Sequence, residues 1–115
     1  MNDRELVEMA AKAAGVHGRW GDIVHVGEDK VDLTDLFFVD DDENGAVWNP
    51  LDDNGAALWL AVKLAIEISP CPYTDSVICE PKGNPNSTIT VEALDEYGTR
   101  RAIVRAAAEM GVVAP

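Results

Sequence analysis

Hydrophobic residues recur with two different periods along this chain, and the periods predict alternating helical and extended segments. Residues 2–14 predict an amphipathic helix, because apolar side chains recur at three- and four-residue spacing while charged ones occupy the other face. Asn2 or Asp3 is expected to cap this helix, and Gly15 to end it. Residues 22–33 predict a β-hairpin, since two runs rich in valine flank a glycine-containing turn.

The middle of the chain holds a second helical segment, predicted over residues 53–66. After Asp53, which can cap it, the segment is apolar nearly all round, with Lys63 as its only further charge. A helix of this composition is normally buried on most sides, so we expect it to be the most buried element. Leu58, Leu60 and Leu64 are expected inside, whereas Trp59 is the expected exception, because aromatic side chains are favoured as anchors at protein interfaces.

The last third of the chain predicts further strands and a third helix. Residues 87–94 alternate and are rich in β-branched side chains, which is typical of a strand. Residues 99–110 predict the helix, with Thr99 as its cap and Gly111 as its stop. Together the pattern predicts one domain over 1–115, of the α+β class, with an antiparallel sheet and about three helices.

Composition and charge mainly exclude classes of function. Among 115 residues, 21 are acidic and 9 are basic, a formal net charge of −12. This balance argues against direct nucleic-acid binding, which needs a clustered basic surface. No apolar run approaches the roughly 20 residues of a membrane span, and the first residues do not resemble an export signal, so we expect a cytoplasmic protein. Cys71 and Cys79 are therefore expected to be reduced thiols without a disulfide.

Two segments of the chain have a distinctive sequence: Trp48–Leu64, which is WNPLDDNGAALWLAVKL, and Thr99–Gly111, which is TRRAIVRAAAEMG. Both resemble segments of a family of small, uncharacterised phage and prophage proteins. Asn54 and Ala56 differ from the family's usual Asp-Gly-Asp motif, and Trp59 occupies a position where arginine is common. The resemblance implies a phage origin and the host cell cytoplasm, and it brings no activity or catalytic residue with it.

An acidic turn offers the first half of a calcium loop. Asp40, Asp42, Asn44 and Gly45 follow the D-x-D-x-N-G pattern, in which alternate oxygens converge on one cation. Leu51 occupies the position that needs a bidentate glutamate, so we expect an exposed turn without metal. The two histidines lack zinc-ligand spacing, and we expect neither metal nor cofactor.

Three arginines are predicted to share one broad surface of the last helix. They would either dock a partner's carboxylates or phosphates, or pair with acids of this chain such as Glu109, and the general behaviour of charged helix faces favours pairing. The candidate interaction surface comprises the three arginines, the acidic turn and one tryptophan: Arg100, Arg101, Arg105, Asp40, Asp41, Asp42, Glu43 and Trp59.

These features favour a phage accessory protein that binds a host protein without catalysis. One variant is an acidic nucleic-acid mimic or anti-defence factor, with the acids at 28–29, 40–43 and 52–53 as contacts. No nucleophile-elbow, zinc or phosphate-loop motif occurs in its expected context, so we do not expect an enzyme. The alternatives are a small-ligand or metal-binding module and an enzyme of unrecognised type. The oligomeric state stays open.

Overall fold

Three α-helices and seven β-strands occur in the computed structural model, which describes residues 1–40, 46–83 and 88–114. The helices are α1 (Asp3–Ala14), α2 (Asn54–Lys63) and α3 (Glu96–Val113). The strands are β1 (Gly18–Trp20), β2 (Ile23–Val26), β3 (Asp29–Asp32), β4 (Phe37–Val39), β5 (Ile66–Cys71), β6 (Ser76–Pro81) and β7 (Thr90–Ala93). The described strand pairs are antiparallel, so the predicted α+β class is confirmed.

Helix α3 packs on one face of the three-stranded sheet β5–β6–β7. Strand β6 alternates, so that Val77 and Cys79 are buried while their neighbours are partly exposed. On β7 the buried residue is Thr90, whose hydroxyl donates a 2.7 Å hydrogen bond to the carbonyl oxygen of Ala102. The expected strand is therefore present, with its apolar Val91 on the solvent side and a threonine facing the helix.

Helices α1 and α3 pack closely through small side chains. Ala10 and Ala11 of α1 are buried, as are Ala106 and Ala107 of α3. Gly111 also lies inside α3 rather than ending it, because a side chain at this position would overlap the carbonyl group of Met9. The prediction that Gly111 stops the helix is wrong: the glycine is needed where two backbones approach.

Each helix begins at a side chain that accepts a hydrogen bond from an orphan backbone amide. Asn2 caps α1, as predicted, by accepting from the amide of Glu5 at 2.8 Å. Asp53 caps α2. For α3 the cap is Asp95 rather than the predicted Thr99, so the helix starts three residues earlier.

The middle helix differs most from its prediction. Three of its residues are buried, Ala57, Leu60 and Ala61, whereas α3 buries eight. Helix α2 ends at Lys63, because the chain turns through a left-handed conformation at Ala65 to enter β5. The prediction that residues 53–66 form the most buried element is wrong, since α3 occupies the centre and α2 lies at its side with one apolar face uncovered. Leu60 is buried and Leu64 partly buried, but Leu58, also expected inside, is exposed on that face.

Two further pairs of strands form ribbons outside the main sheet. Strand β1 pairs with β4, and β2 pairs with β3 as the predicted hairpin. All eight residues of the β2–β3 hairpin are exposed. Its register places Val24 opposite Val31 and Val26 opposite Asp29 on one face, which leaves three valines in solvent.

Candidate functional site

Four aromatic rings form a row along one side of the molecule, and we call them the aromatic row: Trp20, Phe37, Trp48 and Trp59. Trp20 and Phe37 are cross-strand neighbours in the β1–β4 ribbon, with centroids 5.3 Å apart at 75°. Trp48 follows at 6.2 Å from Phe37, and Trp59 of α2 meets Trp48 edge-on at 6.5 Å. Aromatic pairs of this kind each contribute about 0.5–1.5 kcal/mol beyond their buried area, so these contacts stabilise the row.

A cleft of about 420 Å³ opens beside three rings of this row, and we call it the acidic aromatic cleft. Trp20, Phe37 and Trp48 provide its aromatic wall. The charged groups that line it are three carboxylates and one guanidinium, belonging to Asp3, Asp35, Asp52 and Arg4. The cleft therefore combines flat apolar surfaces with an excess of negative charge.

A cation already lies against the aromatic wall. The guanidinium carbon of Arg4 is 4.5 Å from the centroid of the Trp20 ring, within the range of a cation–π contact. Nε1 of Trp20 donates a 2.5 Å hydrogen bond to Glu8, which holds the indole in place. Glu8 is also 3.9 Å from Arg4, so one carboxylate steadies both the ring and the cation.

The three carboxylates of the cleft differ in their partners. Asp3 pairs with Arg101 at 2.9 Å, and this hydrogen bond is the main cause that raises the pKa of Arg101 above its ordinary value. Asp52 accepts from the side-chain amide of Asn49 at 3.1 Å, and no ion pair to Asp52 occurs among the described residues. Within the described part of the chain, Asp35 has neither an ion pair nor a side-chain hydrogen bond. The net charge facing the cleft is negative.

A second surface is the uncovered face of α2, formed by Leu58, Trp59 and Val62. Their side chains are 60%, 46% and 74% exposed, respectively. Leu58 also lines an open groove of about 350 Å³ between α2, β5 and the start of α3, which continues to Ile68 and Ile103. Trp59 connects this face to the cleft, because its ring contacts Trp48.

The three arginines of the predicted interaction surface are held by contacts within the chain. Arg100 donates from Nε to the carbonyl oxygen of Leu51 at 2.8 Å and from a terminal nitrogen to Asn54 at 2.7 Å. Arg101 binds Asp3, as described above, and Arg105 pairs with Glu92 at 2.5 Å. Pairing within the chain was the favoured expectation, but the partners are these groups on other elements rather than Glu109.

The acidic turn is described only at its first residue. The carboxylate of Asp40 accepts from Arg19 at 3.2 Å. Asp41, Asp42 and Glu43 lie outside the described residues, as do Asn44 and Gly45, so the calcium pattern stays a sequence-based prediction. In the described ranges, no three histidine, cysteine or acidic side chains gather at metal-binding distance.

Both cysteines are free thiols, as expected. Cys79 is fully buried under α3, and burial raises the pKa of its thiol to about 11. A thiol with so high a pKa is a poor nucleophile at neutral pH, so it acts here as a small core residue. Cys71 is partly exposed at the end of β5.

Comparison with known proteins identified no related protein. No family model, curated protein or solved structure matches the chain. Among the described residues, no helix has the length and apolar character needed to cross a membrane.

The acidic aromatic cleft was not anticipated from the sequence. Of the aromatic row, only Trp59 was among the predicted contact residues. Trp20, Phe37 and Trp48 lie on separate elements, and their side chains meet only because β1 pairs with β4 and the amide of Trp48 donates to the carbonyl oxygen of Phe37 at 2.9 Å. The available signal was three tryptophans in a chain of 115 residues, one of which, Trp48, precedes the amide residue Asn49.

Proposed function

We propose that this chain acts by binding another protein rather than by catalysis, and that the partner docks on the uncovered face of α2. The observation that carries the proposal is the joint exposure of Leu58, Trp59 and Val62 on the most apolar helix of the chain. Contiguous apolar patches on a monomer mark interaction sites, and tryptophan is among the preferred anchors of such interfaces.

The partner that fits best carries a positive charge. The chain has a net charge of −12, so two copies repel each other, whereas a basic protein is attracted over the range of the Debye length. The start of α2 is itself acidic, with Asp52 and Asp53 exposed beside the apolar face. A basic partner with an apolar centre therefore matches both the charge and the shape of this surface.

The biological setting of the proposal comes from the sequence resemblance. The segments Trp48–Leu64 and Thr99–Gly111 are similar to phage and prophage proteins, so we propose a phage accessory protein that acts on a host protein in the host cytoplasm. Both segments contribute to the region around α2 and α3. Interference with a host defence protein is one role of this kind.

The nucleic-acid mimic is a narrower form of the same proposal. Of the acids assigned to it, Glu28, Asp29, Asp52 and Asp53 are exposed. Asp53 already accepts from the amides of Gly55 and Ala56, and Asp40 already pairs with Arg19. A mimic would therefore depend on the exposed acids, and its affinity for a basic partner should fall visibly between about 50 and 200 mM salt.

The proposal is tested by capture from host lysate followed by measurement on the purified partner. The tagged chain is compared with the double variant Leu58→Ser, Val62→Ser, and with Val113→Ser as a control, since Val113 is a similarly exposed valine on another helix. A basic protein identified by mass spectrometry should bind the wild type and the control, and calorimetry with the purified partner should show at least tenfold weaker binding to the double variant.

Two results would contradict the proposal. One is a partner whose affinity is the same for the wild type and the double variant. The other is a stable dimer of this chain, seen by analytical ultracentrifugation, that the double variant dissociates, because the apolar face would then be covered by a second copy.

The alternative of a ligand-binding module is favoured by one observation, the acidic aromatic cleft beside Trp20 and Trp48. Its lining has the features of binding sites in general, an apolar wall with a few convergent polar groups.

A further inference from the structure

We infer that the acidic aromatic cleft is a binding site for an arginine side chain presented by a partner protein. The cleft has the two parts that a guanidinium group requires, a flat aromatic wall and carboxylates beside it. Trp20 and Trp48 supply the wall, and Asp35 and Asp52 supply carboxylates that no cation of the described chain neutralises. Its volume of about 420 Å³ is ample for one side chain.

The chain itself shows that the wall accepts a guanidinium. The Arg4 side chain lies over the Trp20 ring at 4.5 Å although it is about half exposed and free to extend into solvent. Its carboxylate partner Glu8 is at 3.9 Å, too far for a hydrogen bond, so Glu8 alone does not fix the guanidinium over the ring. Arg4 therefore occupies part of the cleft and competes with an arriving cation.

Other ligand classes fit the cleft less well. An anion would face three carboxylates and a molecule of net charge −12. A neutral ligand would cover Asp35 and Asp52 without pairing them, which costs free energy. A lysine ammonium is a compact, strongly hydrated charge, whereas the planar guanidinium both stacks on aromatic faces and bridges a carboxylate with two hydrogen bonds. Arginine is the side chain that uses the wall and the carboxylates together.

This site is separate from the apolar face of α2, and the inference does not depend on that face. The two surfaces meet at Trp59, whose ring contacts Trp48. One partner could therefore place an apolar segment on α2 and an arginine in the cleft. The two proposals can fail independently, because Leu58 and Val62 do not line the cleft.

The first experiment asks whether the guanidinium is recognised. A hexa-arginine peptide is titrated into the full chain by calorimetry and compared with a hexa-citrulline peptide, in which a neutral urea replaces each guanidinium at the same size. A Trp59→Phe variant lets fluorescence report on Trp20 and Trp48 alone. We expect saturable binding of the arginine peptide with a change in this fluorescence, and at least tenfold weaker binding of the citrulline peptide.

Matched variants separate the cleft from the general attraction of an acidic protein for a cationic peptide. Asp35→Asn and Asp52→Asn should each weaken binding by about two- to fivefold, the range expected for partly solvated charge pairs. Glu109→Gln removes the same charge from an exposed position of α3 outside the cleft and should change the affinity less than twofold.

A third variant should strengthen binding. Arg4→Met removes the internal competitor and should raise the affinity several-fold, whereas Lys30→Met, which removes one positive charge from the β2–β3 hairpin, should raise it less than twofold. The inference is overturned if the citrulline peptide binds equally well, or if Glu109→Gln and Lys30→Met match the effects of the cleft variants. Thermal unfolding of each variant ensures that the compared proteins are folded.

Discussion

Gly111 offers a decisive test of the packing between the first and last helices. Glycine inside a helix normally costs about 0.5–1 kcal/mol relative to alanine, so Gly111→Ala would stabilise an isolated helix. In this fold the added methyl group would overlap the carbonyl oxygen of Met9 and lie 2.7 Å from its carbonyl carbon. The atoms that would have to give way are backbone, not the end of a flexible side chain.

The size of the effect follows from this distance. Carbon atoms in contact prefer about 3.5–4.0 Å, so α1 and α3 would have to separate by roughly 1 Å at this point. Separation loosens the buried alanines on both sides, such as Ala10 and Ala107. Overpacking of this kind typically costs about 1–3 kcal/mol, which exceeds the gain in helix propensity. We expect Gly111→Ala to lower the free energy of unfolding by about 1–2 kcal/mol.

Urea denaturation followed by circular dichroism at 222 nm measures this change. Gly55→Ala is the matched control, because Gly55 is also helical and an added methyl there would meet only the side chain of Asp53, at 3.2 Å. The control should be neutral or slightly stabilising. If Gly111→Ala is as stable as the wild type, the two helices are farther apart than the structure shows, and the reasoning on close approach is refuted.

Three further predictions concern burial. Leu60→Ala should cost about 2–5 kcal/mol in urea denaturation, whereas Leu58→Ala should cost at most about 0.5 kcal/mol, because Leu60 is fully buried and Leu58 is exposed; equal costs would contradict the placement of α2. Amides of the β2–β3 hairpin should exchange with deuterium far faster than those of α3, since an isolated two-stranded hairpin is marginally stable; equal protection would contradict its exposure. Stability should fall as pH rises from about 9 to about 11, because the Cys79 thiol ionises more readily in the unfolded chain, and Cys79→Ala should lack this component of the decline.

Local signals were sufficient for most elements of the fold. Helix α1, its Asn2 cap and its Gly15 end were all predicted, because capping and helical periodicity act within a few residues. The β2–β3 hairpin was predicted as well, since its turn and register depend on neighbouring residues. These features need no knowledge of what packs against them.

Predictions that depended on tertiary packing were the ones that failed. Helix α2 is the most apolar helix, yet α3 lies at the centre of the fold. The small alanines of α3 allow both α1 and the sheet to pack closely against it. Glycine is common where helices end, so the sequence predicted that Gly111 ends α3. In the structure Gly111 lies within α3 and allows the backbone of Met9 to approach. The acidic aromatic cleft likewise depends on pairing between β1 and β4, which periodicity does not reveal.

The packing of α1 on α3 has a consequence for how the chain folds during synthesis. About 80 residues separate the two helices, which at about 5–20 residues per second leaves roughly 4–16 seconds between their emergence from a ribosome. During this interval Leu6 and Val7 have no surface to cover them. The nascent chain therefore gains its stable core only after α3 has been synthesised, and until then its first helix is a target for chaperones that bind exposed apolar segments.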